Sequence, residues 1–346
     1  MTVAYGELKK DEALLKKAAE LIGRGELVAI PTETVYGLAG NALDPTAAGK
    51  IYAAKGRPSD NPLIVHICKW EDIELIARDI PKEAGLLAEK YWPGPLTMVL
   101  KKTGRVPKET TGGLDTVAVR MPVNEIAREF IDACGGYIAA PSANTSGRPS
   151  CTTAGHVYED LNGKIPLIID GGPVGIGVES TIIDLTGDNP VLLRPGYISL
   201  EELREILPDI KADPHIDGAE EEGDFKPKAP GMKYKHYAPK GQLTIVKGEP
   251  DRVVSYINER CEEHDKNRES CAVLCNSSRA SSYKAEMVFS LGFDQEEIAH
   301  NLFAALRETD DRELKYIYSE SFEGGKLGMA IMNRLTRAAG HKITEV

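Results

Sequence analysis

Residues 55–66 read K-G-R-P-S-D-N-P-L-I-V-H, from Lys55 to His66. Lys55 and Arg57 flank a glycine, and Pro58 and Pro62 stop a helix from running on through the segment. Leu63, Ile64 and Val65 then form the kind of short apolar run that makes a buried strand. The stretch predicts a helix that ends in a rigid turn and delivers two cations to the lip of a sheet. A point charge and a flat guanidinium fork at such a lip suit phosphate or carboxylate oxygens. The same residues also fit a solvated helix end whose cations merely oppose the helix dipole. The stretch by itself leaves both readings open.

Working outward, the same pattern recurs: a short apolar strand, then a polar loop. Asp44-Pro45 is a helix start, and the helix it opens delivers Lys55. Upstream, Leu27–Ile30 reads as a strand that runs into P-T-E-T-V-Y-G-L-A-G, residues 31–40. Downstream, Thr116–Met121 reads as a strand carrying Arg120. Tyr137–Ala140 reads as another that runs into P-S-A-N-T-S-G-R-P-S, residues 141–150. Open α/β sheets keep their ligands just beyond strand ends. Hydroxyls and amides at such a place can bond oxyanions, although Pro, Ser, Asn and Gly also make ordinary surface turns. A third loop, G-G-P-V-G-I-G-V-E-S-T at residues 171–181, is glycine-rich but lacks the spacing of a P-loop or a dinucleotide-binding turn.

At 346 residues the chain is long enough for two domains. Strands and helices predict an α/β protein: a twisted open α/β sheet domain over residues 1–207, a linker at 208–240 that closes over the site, and a smaller Rossmann-like α/β/α domain at 241–346. Prolines and the acidic run Glu220, Glu221, Glu222 and Asp224 mark the linker, whose end is rich in aromatics. A formal net charge of -11 argues against a surface built for nucleic acid, though a local basic cleft would then mark a site. No apolar stretch approaches membrane-spanning length, and no apolar run follows Met1, so neither a membrane span nor a signal peptide is expected. Six scattered cysteines without a paired C-x-x-C spacing fit a reduced, cytoplasmic protein.

The polar loops hold Lys55, Arg57, Arg120, Arg148 and Arg194 with many hydroxyls, and few acids: Glu33, Asp60, Asp115 and Glu179. No metal-ligand cluster and no serine-nucleophile elbow occurs. Such a site suits transfer at phosphorus, in which the protein positions reactants and neutralises charge. Mg²⁺, the expected cofactor, would then be held mainly by substrate phosphates and water.

The motifs P-T-E-T-V-Y-G-L, K-G-R with N-P-L-I-V-H, S-A-N, E-S-T-I, R-P-G and P-G-M-K-Y with H-Y-A-P resemble the threonylcarbamoyl-AMP synthases in their long, two-domain form. The resemblance covers essentially the whole chain and implies a YrdC-like N-terminal domain. It implies that L-threonine, bicarbonate (or CO₂) and ATP give threonylcarbamoyl-AMP and pyrophosphate, the product passing to other proteins that modify tRNA. It places the family's catalytic signature on Lys55, Arg57, Ser142 and Asn144. It implies ATP contacts from Arg57, Asn61, Thr116, Ser142, Ser150 and Arg194, with Tyr234, His236 and Tyr237 covering the nucleotide. It implies that Thr34, His66, Arg120, Ala140 and Ser180 hold threonine, with Arg120 on its carboxylate. The alternative is a factor that grips structured RNA through the same basic cleft; a weak RNA contact is expected in either case.

Overall fold

A computed structural model describes residues 2–4, 12–216, 228–229 and 237–346. The chain divides into two units. One comprises residues 1–146, 150–175 and 179–233; the other comprises 147–149, 176–178 and 234–346. In chain order the first unit carries β1 (Thr2–Ala4), β2 (Val28–Ile30), β3 (Gly37–Asn41), β4 (Ile64–His66), β5 (Ala77–Arg78), β6 (Leu96–Lys102), β7 (Thr116–Arg120), β8 (Ile138–Ala139), β9 (Leu167–Asp170), β10 (Thr181–Asp184), β11 (Val191–Arg194) and β12 (Lys211–Ala212). Among the described residues they form one mixed sheet in the order β1-β9-β2-β3-β8-β4-β7-β6-β10-β11-β12, with β5 paired to β6.

Helices cover both faces of this sheet, as the alternation of strand side chains shows. Val28 and Ile30 join one apolar cluster with Ile22, Phe130 and Ile131, from the helices Glu12–Gly23 and Glu125–Ala133. Leu27 and Ala29 join the other, with Ile51, Leu87 and Val157 from the helices Pro45–Lys55, Lys82–Tyr91 and Ala154–Leu161. The N-terminal α/β expectation therefore holds, with more antiparallel pairing than a simple open sheet has: β2/β3, β3/β8, β4/β8, β6/β7 and β10/β11 all run antiparallel. Of the stretch 208–240, residues 208–216 pack on this unit. β12 pairs with β11, and Ile210 and Ile216 are buried in its core.

The helix Pro45–Lys55 shows how local chemistry sets the site. Asp44 caps it, accepting from the Thr46 amide at 2.8 Å, and Pro45 takes the first helical position. Gly56 ends it at φ 63°, a conformation that costs glycine nothing. The turn leaves Lys55 on the buried face with Ala48, Ile51 and Tyr52. Gly196 plays a different part. A Cβ there would meet the Thr181 amide nitrogen at 2.3 Å and the Glu179 carbonyl at 2.7 Å, so the absence of a side chain is what lets the end of β11 press against residues 179–181.

In the second unit, β13 (Gln242–Lys247), β14 (Cys271–Cys275), β15 (Met287–Ser290), β16 (Tyr316–Glu320) and β17 (Ile343–Glu345) make an all-parallel sheet in the order β15-β14-β16-β13-β17. The helices Pro250–Lys266, Gln295–Asp311 and Gly328–Ala338 connect them, as a parallel sheet requires. β16 closes on an acid. That acid, Glu320, is buried because Arg279 and Tyr283 hold its carboxylate, at 2.5 and 2.7 Å.

Replacing Gly196 by Ala is expected to destabilise the first unit by ~1–3 kcal/mol, the usual cost of forced overpacking. The chain's two tryptophans, Trp70 and Trp92, both lie in that unit. Urea unfolding followed by tryptophan fluorescence therefore reads it directly, and an unchanged midpoint would contradict the close approach.

Candidate active site

Lys55 is 2 % exposed, and its ammonium is clasped by two main-chain carbonyls of the 141–150 loop, those of Ser142 and Asn144, the second at 2.5 Å. The Ser146 amide returns a bond to the Lys55 carbonyl at 2.8 Å. Inside the loop, the Ser142 hydroxyl donates to Asn144 Oδ1 at 2.5 Å, and the Asn144 amide donates to the Thr145 carbonyl. The two signatures, separated by more than eighty residues, are thus one structure. Arg57 folds back over the turn it follows, donating to the Pro62 carbonyl at 3.2 Å and to that of Asn61 at 3.5 Å. Asn61 is 1 % exposed, and neither atom of its side-chain amide has a hydrogen-bond partner among the described residues. A buried amide left open on both sides is costly unless a ligand completes it.

A second cluster sits on the sheet. His66 on β4 stands in register with Arg120 on β7, and Thr97 on β6 is in register with Arg120 from the other side. Arg120 donates through one terminal nitrogen to the Thr34 hydroxyl at 2.9 Å and through the other to Glu33 Oε1 at 2.5 Å. Thr34 is buried and also bonds the Thr32 hydroxyl. His66 Nδ1 lies 3.1 Å from the Ile64 carbonyl, which can only accept; Nδ1 therefore carries the proton and Nε2 is left as an acceptor. The same carbonyl accepts the Ala140 amide at 3.0 Å, which brings Ala140 beside this row. Burial, with the Arg120 guanidinium second, pushes the imidazole pKa down to about 3.

Ser180 is fully buried, its hydroxyl 2.8 Å from that of Thr97. Arg194 holds the Ser180 carbonyl through both Nε and a terminal nitrogen, at 3.1 and 2.9 Å. Ser150 donates to Glu179 at 2.6 Å. Thr116 opens β7, half-buried, on the face that carries Arg120. Tyr237 belongs to the second unit. It is buried at φ 64°, stacked on Phe303 with ring centroids 5.1 Å apart. Tyr234 and His236 lie outside the described residues.

Thr32, Glu33, Thr97 and Glu179 are additions that motif reading did not put in the site. Glu33 and Glu179 were visible only as acids in basic loops. Thr97 was hidden as one polar residue in an apolar strand, 0 % exposed. Among the described residues no group of three or more His, Cys, Asp or Glu side chains could hold a metal ion, and no helix is long and apolar enough to cross a membrane.

Two family models match the chain. One, described as "Telomere recombination", matches residues 20–196; the other, "Threonylcarbamoyl-AMP synthase, C-terminal domain", matches residues 198–340. A threonylcarbamoyl-AMP synthase of Pyrococcus abyssi is 50% identical over 336 residues, covering 97% of each chain. One of Bacillus subtilis is 44% identical over 340 residues, covering 97% of this chain and 96% of its own. A crystal structure of P. abyssi Sua5 complexed with L-threonine is 49% identical and superposes with a TM-score of 0.93, covering 100% of this chain and 99% of the other.

The buried imidazole makes a pH prediction. Its pKa is about 3 in the folded chain against 6.5 in the unfolded one, so between those values unfolding takes up a proton. Its contribution to stability is therefore complete above pH about 6.5 and is lost as pH falls toward about 3. His66→Gln should flatten the loss of urea midpoint across that window. A variant as acid-sensitive as the parent would contradict the assignment.

Proposed function

The chain belongs to the threonylcarbamoyl-AMP synthase family, and from that premise we propose that its first unit joins L-threonine, bicarbonate-derived CO₂ and ATP on the residues just described. It is an ATP-using, adenylyl-transferring enzyme of threonylcarbamoyladenosine biosynthesis. The observation that carries the site reading is the Lys55 clasp, which fastens the Ser142–Asn144 loop to the turn that holds Arg57 and Asn61. The threonine-bound Sua5 relative supports threonine as the amino acid.

Threonine's carboxylate would dock on Arg120, with Thr34, Ala140 and Ser180 around it. Nε2 of the neutral His66 would accept a hydrogen bond from the substrate's hydroxyl. The amine, once its ammonium has shed a proton to solvent, attacks the carbon of CO₂; a C–N bond forms, one C=O π pair moves to oxygen, and a second proton leaves the nitrogen to solvent, giving the carbamate anion. That carbamate oxygen then attacks the α-phosphorus, and the bond to the bridging oxygen breaks as pyrophosphate leaves. Both partners are anions, so the fields of Lys55, Arg57, Arg120 and Arg194 lower their repulsion inside a site where water screens little. ATP would be held by Arg57, Asn61, Thr116, Ser142, Ser150 and Arg194. The open amide of Asn61 offers both a donor and an acceptor to it. Tyr234, His236 and Tyr237 would close over the nucleotide and shield the carbamate from water.

One oxygen of each carboxylate in this site is engaged, Glu33 Oε1 by Arg120 and Glu179 Oε1 by Ser150. That donor set fits Mg²⁺ carried chiefly by the phosphates of ATP, where it would neutralise charge on the departing pyrophosphate. The product is a mixed anhydride, which separate tRNA-modifying proteins would consume. ATP use and free cysteines fit a cytoplasmic setting. The structured-RNA alternative is not favoured. Lys55, Arg57, Arg120 and Arg194 are 2, 9, 4 and 7 % exposed and bonded within the chain, whereas phosphate-backbone binding uses exposed cations.

Purified chain is expected to release pyrophosphate from ATP only when threonine and bicarbonate are both present. Lys55→Ala and Arg57→Ala should each lose about 10²-fold or more of that rate while keeping the fold. Turnover without threonine would defeat the proposed reaction, and full activity in either variant would remove that residue from it.

A further inference from the structure

The geometry points to a residue that the motifs do not assign: we propose that Glu33 receives the α-ammonium of the amino-acid substrate. This rests on the reading of the Arg120 cluster as the amino-acid site and specifies how that site recognises its ligand. Glu33 lies in the 31–36 loop between β2 and β3, flanked by the buried Thr32 and Thr34. Its side chain is 10% exposed, and its ion pair with Arg120 is a one-point contact, Oε1 to one terminal nitrogen at 2.5 Å. Glu33 Oε2 is buried and has no hydrogen-bond partner among the described residues, and neither has Arg120 Nε.

Two open groups of opposite character thus sit on side chains that touch each other. One is a guanidinium N–H that can donate; the other is a carboxylate oxygen that can accept. Buried polar atoms of native chains are nearly always satisfied, and charged ones most of all. A single α-amino acid zwitterion completes both, since its carboxylate and ammonium hang on one carbon. A simple carboxylic acid completes only Arg120. His66 is neutral and cannot supply the missing negative charge. Glu33 therefore gives the site its demand for an amine, the atom that must become the carbamate nitrogen. Arg120 and Thr34 give it the carboxylate.

The alternative is that Glu33 only braces Arg120, and a ligand pair separates the two roles. Calorimetry on the full chain would compare L-threonine with the dihydroxybutanoate in which a hydroxyl replaces the ammonium. The parent should prefer threonine by about tenfold or more, the scale of a charge-assisted bond against a neutral one. Glu33→Gln should weaken threonine by a similar factor and barely move the hydroxy acid, so that the preference collapses. Equal weakening of both ligands would leave only the brace and overturn the proposal, as would unchanged threonine binding. Should the Gln variant not fold, Glu33→Asp withdraws the carboxylate by one methylene and must likewise cost threonine more than the hydroxy acid. If the parent itself binds neither ligand, the amino-acid site falls, and the proposal with it. If threonine binds normally but Gln leaves the preference intact, only the assignment to Glu33 falls.

Discussion

Everything in the first unit's site depends on burying one ammonium. Lys55 is held by two carbonyls of a loop that is distant in sequence, and it can be held there because a capped helix, a left-handed Gly56 and the small residues of the 141–150 loop converge on it. A buried lysine without partners would give up its proton. Main-chain carbonyls are partners that carry no formal charge, so they satisfy the ammonium's donors without cancelling its field. The cation therefore fastens the 141–150 loop to the end of its helix.

Arg194 repeats that economy. It holds a carbonyl, that of Ser180. Arg120 departs from it, with Glu33 on one arm. The contrast is informative. Where the incoming group is a phosphate, local acids would compete with it. Where the incoming group is a zwitterion, one acid beside the guanidinium is complementary.

Much of this was legible before any coordinates. The Asp44-Pro45 start is a local signal that the structure keeps, and the strand read at Leu63–Val65 runs Ile64–His66, one residue further on. The parallel character of the second unit also followed from alternating strands and helices. What could not be read is what only tertiary pairing decides. β3 has the composition of a loop, with two glycines and an asparagine in five residues. It becomes a strand because β2 and β8 pair with it on either side. Glu320 is the last residue of β16, and it is buried because Arg279 comes from another element to meet it. The motifs likewise located the candidate residues, while the pairing of Arg120 with Glu33, and the open atoms that pairing leaves, belong to distances across the sheet.

The Ile64 carbonyl has a larger role than its type implies. It receives the Ala140 amide and the His66 ring together, so both of its lone pairs are spoken for. Turning the imidazole over, or moving its hydrogen to the other nitrogen, would break the ring's own bond to that carbonyl and leave the Ala140 bond in place. With Nδ1–H held by that carbonyl, Nε2 is the ring's acceptor in the resting chain.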